Sequence, residues 1–279
     1  AWEDLVALYH ELVADVIDAV LAIALHMKVA SIYEHNLANL QEAAEAYKRI
    51  LGIDPHNLDA VNALESIYVR TEQFQDLVDV TLKKADIVLE AEERKQLFFR
   101  AAQIYEDVLE NLEDAIKVFQ QVLDIDDSDA TAIEALERLY FRLERWDNLK
   151  EVFTRKVELA EEVEDKKQIL YRLGALYEAQ LADLDRSIET FQSVLDLDPD
   201  DLNAIRSLDR LYQEAARWYD LLQVLERQVE LAGPSPEANE FKHRVARLWE
   251  HELGDLTRAV ETYREVLESD PSHEPTIAA

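Results

Sequence analysis

Self-similarity at a fixed period constrains this chain more than any other feature, because a short repeated unit must bury its apolar face against its neighbours rather than in one closed core. The triplet Ile32-Tyr33-Glu34 returns as Ile104-Tyr105-Glu106, Leu176-Tyr177-Glu178 and Leu248-Trp249-Glu250, at steps of 72 residues without insertion. An aromatic residue followed by Leu three positions later recurs in the same frame, at Trp2 and Leu5, Phe74 and Leu77, Trp146 and Leu149, and Trp218 and Leu221. Each copy divides again: Tyr33, Tyr68, Tyr105, Tyr140, Tyr177 and Tyr212 stand alternately 35 and 37 residues apart. The structural unit is therefore half of the copy.

Within a unit the apolar residues fall at helical spacing. Leu40, Ala43, Ala44, Tyr47, Ile50 and Leu51 form one stripe of a helix that stops near Asp54-Pro55. Asn57 and Asp129 stand where the next helix begins, and each offers a side-chain oxygen to an unpaired amide of the first turn. With 4 Gly and 6 Pro in 279 residues there are few turn formers for hairpins, so an all-α chain is expected.

These residues resemble the tetratricopeptide repeat, a helix-turn-helix unit of about 34 residues with the pattern W-x2-L-G-x2-Y, A-x3-F and P. In the first half of each copy the small residue falls on Ala30, Ala102, Gly174 and Ala246, and the aromatic on Tyr33, Tyr105, Tyr177 and Trp249. The second-helix Ala corresponds to Ala43, Ala115, Ser187 and Ala259, the Phe to Tyr47, Phe119, Phe191 and Tyr263, and the closing Pro to Pro55, Pro199 and Pro271, with Asp127 replacing it once. The other half-units diverge, carrying Glu65, Glu137 and Asp209 at the Gly position and Leu77, Leu149 and Leu221 at the Ala position. The first kind of unit also has one extra residue between its Tyr and its Ala. The resemblance implies a right-handed α-α superhelix, a solenoid of about 15 helices. It forms one array over 1–279, with copies phased near 1–56, 57–128, 129–200 and 201–272, expected to be a piece of a longer one.

Charge excludes several partners. The chain carries 29 basic and 60 acidic residues, a net charge of −31. Nucleic acid and anionic lipid both require basic residues to replace their counterions, so neither is an expected partner. The apolar stretch from Val13 to Ala30 is interrupted by Asp15, Asp18, His26 and Lys28 and does not read as a membrane-spanning helix. Cys is absent, which removes disulfides, thiolate metal sites and a cysteine nucleophile. No signal peptide is visible, which favours the cytoplasm, although the chain does not open on Met and the compartment stays undetermined.

Chemistry-bearing motifs are not expected. The seven histidines show no i, i+4 pair of the zinc-helix kind; His243 and His251, eight apart on one helix, read as solvated or partner-facing. Asp124 to Asp129 imitates the start of a calcium loop, but Asp129 replaces the required Gly and Leu136 the bidentate Glu. Because Asp196, Asp198 and Asp200 recur in the same phase, the acid belongs to the inter-unit turn. No phosphate loop, nucleophile elbow or metalloprotease motif occurs, and no cofactor, metal or catalytic residue is assigned. The expected role is a non-enzymatic protein-binding scaffold.

Binding is expected on outward positions of the first helices, which in similar arrays line the groove for a peptide or protein. In this phase Arg70, Arg138, Arg142, Arg206 and Arg210 with Phe99, Phe141 and Tyr171 suit an acidic or amphipathic partner. Glu34, Glu106, Glu178 and Glu250 lie in the same register, and because the Glu recurs in every copy as scaffold residues do, structural pairing with these arginines is the preferred reading of the two. A second surface is the apolar segment Val16, Ile17, Val20, Leu21 and Ile23, whose counterparts in later copies are polar; it suits self-association, or folds back onto local core.

Overall fold

The computed structural model describes residues 1–279 and contains helices and turns only. Sixteen helices follow one another: α1 (Trp2–Asp15), α2 (Ala19–His35), α3 (Leu40–Ile53), α4 (Leu58–Arg70), α5 (Phe74–Ile87), α6 (Ala91–Gln103), α7 (Leu112–Ile125), α8 (Ala130–Arg142), α9 (Trp146–Leu159), α10 (Val163–Ala179), α11 (Leu184–Leu197), α12 (Leu202–Glu214), α13 (Trp218–Ala232), α14 (Pro236–His251), α15 (Leu256–Ser269) and α16 (Glu274–Ala278). A π-helical turn, Ile104–Val108, continues α6. The chain divides into two compact units, Ala1–Leu139 and Tyr140–Ala279, and within each the helices pack mainly on their neighbours in sequence. None of the helices is long and apolar enough to cross a membrane.

The repeating pattern of helix starts follows from side-chain caps. Asn39, Asn111, Asp183 and Asp255 each accept a bond from the backbone N–H three residues on and open α3, α7, α11 and α15. Asn57, Asp129 and Asp201 do the same for α4, α8 and α12, as the sequence pattern predicts for the first two. Extended backbone at Asp54, Asp126, Asp198 and Asp270 ends the second helices, with Pro following in three of the four.

The extra residue of the first kind of unit has a structural counterpart in the turn. In these units the cap amide reaches back six residues, as from Asn39 to the Tyr33 carbonyl at 2.8 Å and from Asp183 to that of Tyr177 at 2.9 Å. In the other kind the reach is five, from Gln73 to Tyr68 at 3.0 Å and from Arg217 to Tyr212 at 2.9 Å. Both turns place the residue before the cap at positive φ: Ala38, Glu72, Glu110, Glu144, Ala182, Ala216 and Gly254 lie between 50° and 71°.

Close helix approach is visible at the small residues. Ala30 and Ala43 are wholly buried in the unit Ala1–Leu139, as are Ala102 and Ala115. In the third copy the pair becomes Gly174 and Ser187; the Ser187 hydroxyl donates to the Gly174 carbonyl at 3.0 Å. A Cβ on Gly174 would stand 2.9 Å from the Phe191 ring, so the ring occupies the space that an Ala methyl would need there.

Candidate partner-binding groove

Pairing decides the fate of most of the arginines singled out above. Arg70 donates to Glu34 at 2.8 Å, Arg138 to Glu106 at 2.9 Å, and Arg210 to both oxygens of Glu178 at 2.7 Å. The recurring Glu is thus the partner of an Arg on the following first helix in three copies. Copy one uses a different arginine because Ser66 stands where Arg138 and Arg210 do, and Arg70, one turn further, reaches back instead. In the fourth copy Glu250 accepts from the Tyr263 hydroxyl at 2.9 Å. The three arginine side chains remain half exposed or more, at 50%, 61% and 53%. Ion pairs of that exposure stabilise by about 0–1 kcal/mol, so another carboxylate can compete for them.

Tyr171, Arg206 and Arg210 come together. With Asn203 and Ser207 they line an open cleft of about 480 Å³ over α10 and α12. Arg206 is exposed and forms no ion pair, unlike Arg210. Tyr171 packs on Phe191, ring centres 5.8 Å apart, and its hydroxyl donates to Asp201. Burial and that carboxylate both push the Tyr171 phenol up, so it remains a donor at neutral pH. Burial alone would raise Asp201, but bonds from Lys167 and Tyr171 outweigh it and hold the carboxyl at about 2.

The other candidates are dispersed. Phe99 is half buried and packs on Phe119 at 6.1 Å, which makes it part of the scaffold. Phe141 is 64% exposed, with its ring edge-to-face on Trp146 at 5.8 Å. Arg142 is exposed on the last turn of α8. Of the apolar segment, Ile17, Val20 and Leu21 are exposed at 101%, 77% and 50%, whereas Val16 is half covered and Ile23 packs against the core of α2 to α5. Asp18 breaks the run by capping α2, its carboxylate accepting from Val20 and Leu21.

Two of the four acidic inter-unit turns are occupied by lysine. Lys95 reaches Asp126 at 3.0 Å and Asp129 at 2.9 Å, and Lys167 reaches Asp198 at 2.7 Å and Asp201 at 2.6 Å. Both ammonium groups are pushed up by these bonds. The oxygens that imitate a calcium loop therefore hold a cation of the chain itself, and the acidic groups do not gather into a metal-binding cluster. Ile23 and Asn239 occupy the lysine position in the first and fourth copies.

Acids at the divergent Gly position are buried clamps, which sequence reasoning treated only as departures. Glu65 is 8% exposed and accepts from Lys84 at 2.9 Å and from Arg100. Asp209, equally buried, takes two bonds from Arg244, at 2.7 and 2.5 Å, and one from Gln228 at 3.0 Å. The sequence holds the same combination at Glu137, Lys156 and Arg172; the 72-residue spacing of acid and bases together was the available signal. His243 also departs from expectation. It is buried, with its ring nitrogen 2.9 Å from the Thr276 hydroxyl, while His251 remains exposed.

Three tetratricopeptide-repeat family models match segments of the chain, at residues 168–201, at 23–57 and 250–273, and at 132–167. The chain is a tetratricopeptide-like helical repeat protein. Superkiller protein 3 of Schizosaccharomyces pombe is 30% identical over 158 residues, which is 55% of this chain and 11% of that protein. Among solved structures, YrrB, described as a TPR protein with an unusual peptide-binding site, is 17% identical, with 65% of this chain and 89% of that one covered at a TM-score of 0.35. The C-terminal part of a TPR repeat-containing protein from Cytophaga hutchinsonii is 14% identical, with 90% and 98% covered at a TM-score of 0.38. Tetratricopeptide proteins generally serve as protein-interaction scaffolds.

Proposed function

We propose that this chain is a non-enzymatic protein-binding scaffold whose α10 and α12 present the Tyr171–Arg206–Arg210 cleft to carboxylates of a peptide or protein. The carrying observation is Arg206, an exposed guanidinium without an ion pair in a chain of net charge −31, beside a second arginine whose pairing is half exposed. Arg is the side chain suited to two-pronged recognition of a carboxylate. Asn203 and Ser207 add neutral hydrogen-bonding groups, and the Tyr171 ring supplies an apolar wall. The surrounding acid repels acidic chains that cannot reach the two arginines, which favours partners with a localised carboxylate next to apolar residues over polyanions.

Peptide display on the purified chain, with counter-selection on an Arg206→Glu, Arg210→Glu variant, tests the reading. Enrichment of Asp- or Glu-containing peptides that bind the variant at least tenfold more weakly supports it. Selection of basic peptides, or of peptides indifferent to both substitutions, refutes it.

A further inference from the structure

We infer that the junction of α12, α13 and α14 holds a second, aromatic-binding pocket, which takes a Phe- or Trp-like ring lying beside a carboxylate in a polypeptide. This goes beyond the cleft reading and uses none of its residues. A cavity of about 190 Å³ lies there, floored by Trp218, Leu221, Leu225 and Leu248 and rimmed by Arg247 and His251.

The evidence for its occupant comes from the preceding copy, 72 residues earlier, within the same compact unit. There Phe141 and Phe153 stand where Gln213 and Leu225 stand here. Phe141 lays its ring edge-to-face on Trp146, and Arg172 places its guanidinium 4.6 Å from the centre of the Phe153 ring. Trp218 and Arg244 are the equivalents of Trp146 and Arg172, but both rings that met them are gone. Arg244 is held by Asp209, and Trp218 is left without a ring partner, although part of its surface is accessible. Trp218 therefore lines a cavity where Trp146 meets a ring, and the Arg244 guanidinium, held by Asp209, lies in the same lining.

An aromatic side chain entering this space regains the edge-to-face contact with Trp218 and lies within reach of the Arg244 guanidinium. Arg247, on the rim without an ion pair, favours a negative neighbouring group on its side of the pocket, although Glu252 also contributes to the lining. An aliphatic side chain would fill the volume but recover neither interaction with the ring electrons.

The test is an amide and indole NMR titration of the full chain with N-acetylphenylalanine, with N-acetylalanine as the control. The Trp218 indole signal, assigned by Trp218→Phe, should shift and saturate with a dissociation constant of about 1 mM, typical of so small a ligand. Gln213→Phe and Leu225→Phe, which restore the residues of the preceding copy, should each weaken binding at least tenfold. Gln213→Phe, on the rim, keeps the test valid if Leu225→Phe does not fold. Arg247→Glu should weaken the probe, and Arg206→Glu should leave its effect intact, which separates this pocket from the cleft. An indole signal that stays fixed, that responds equally to N-acetylalanine, or that shifts as strongly in Gln213→Phe overturns the proposal.

Discussion

Ala182→Gly and Gly254→Ala should change stability by similar amounts in opposite directions. Both positions precede the capping acid of the same turn, at φ of 51° and 71°, and both turns close with a cap amide bonded at 2.9 Å to a carbonyl six residues back. A left-handed conformation costs an Ala about 1–2 kcal/mol. Gly removes that cost but loses roughly 0.5–1 kcal/mol through the freedom of its unfolded chain. The difference leaves Ala182→Gly more stable by about 0.5–1 kcal/mol and Gly254→Ala less stable by about as much. Side-chain packing does not blur the comparison, since a Cβ on Gly254 meets nothing within 4 Å and Ala182 is exposed. Urea unfolding followed by tryptophan fluorescence gives the global change. Because stacked repeats can open piecemeal, exchange of the Ser187 amide, bonded to the Asp183 carbonyl at 3.0 Å, reports the turn itself. Its protection should rise about two- to fivefold in Ala182→Gly. A neutral or destabilised Ala182→Gly together with an unaffected Gly254→Ala would refute the assignment of strain to these turns.

Arg244→Met should destabilise the unit Tyr140–Ala279 by about 2 kcal/mol, because it strands the buried Asp209 carboxylate, and Asp209→Leu combined with it should recover most of the loss in urea unfolding. Acid should weaken the fold through histidine: burial first, then Arg49 and His10 for His26, and His273 and Arg247 for His243, lower both below the ordinary value. The unfolded chain therefore takes up protons first, so stability is held above pH about 6.5 and falls as pH drops through the folded values. His243→Gln should flatten that fall in urea midpoints compared across the range. Calcium or a chelator should leave the melting temperature unchanged, because Lys95 and Lys167 neutralise the acids of two turns and no three acidic groups gather elsewhere; a rise with calcium would contradict this.

How much the sequence discloses differs by level. Helix positions follow from caps and periodicity, because Asn57 or Asp129 satisfies amides of its own first turn and needs no distant partner. The Glu34–Arg70 and Glu178–Arg210 pairs are legible as one of two alternatives, since recurrence in register brings the groups together without saying which Arg is used. Long-range partners are harder. The Lys167 contact with Asp198 and Asp201 spans about thirty residues, and Arg244 reaches Asp209 across 35, so neither shows in a helical wheel. His243 illustrates the remaining gap: its ring nitrogen is hydrogen-bonded with the Thr276 hydroxyl of α16, and the spacing from His251 contains no trace of that helix.

Charge exchange across the cleft tests the central claim most directly. An acidic peptide selected on the native chain should lose at least tenfold in affinity on Arg206→Glu, and the same peptide with its acid changed to Lys should regain most of it on that variant. Fluorescence anisotropy at fixed salt measures both arms. Equal binding of the acidic peptide to native chain and Arg206→Glu, with no rescue by the Lys peptide, would contradict recognition by the α10–α12 groove.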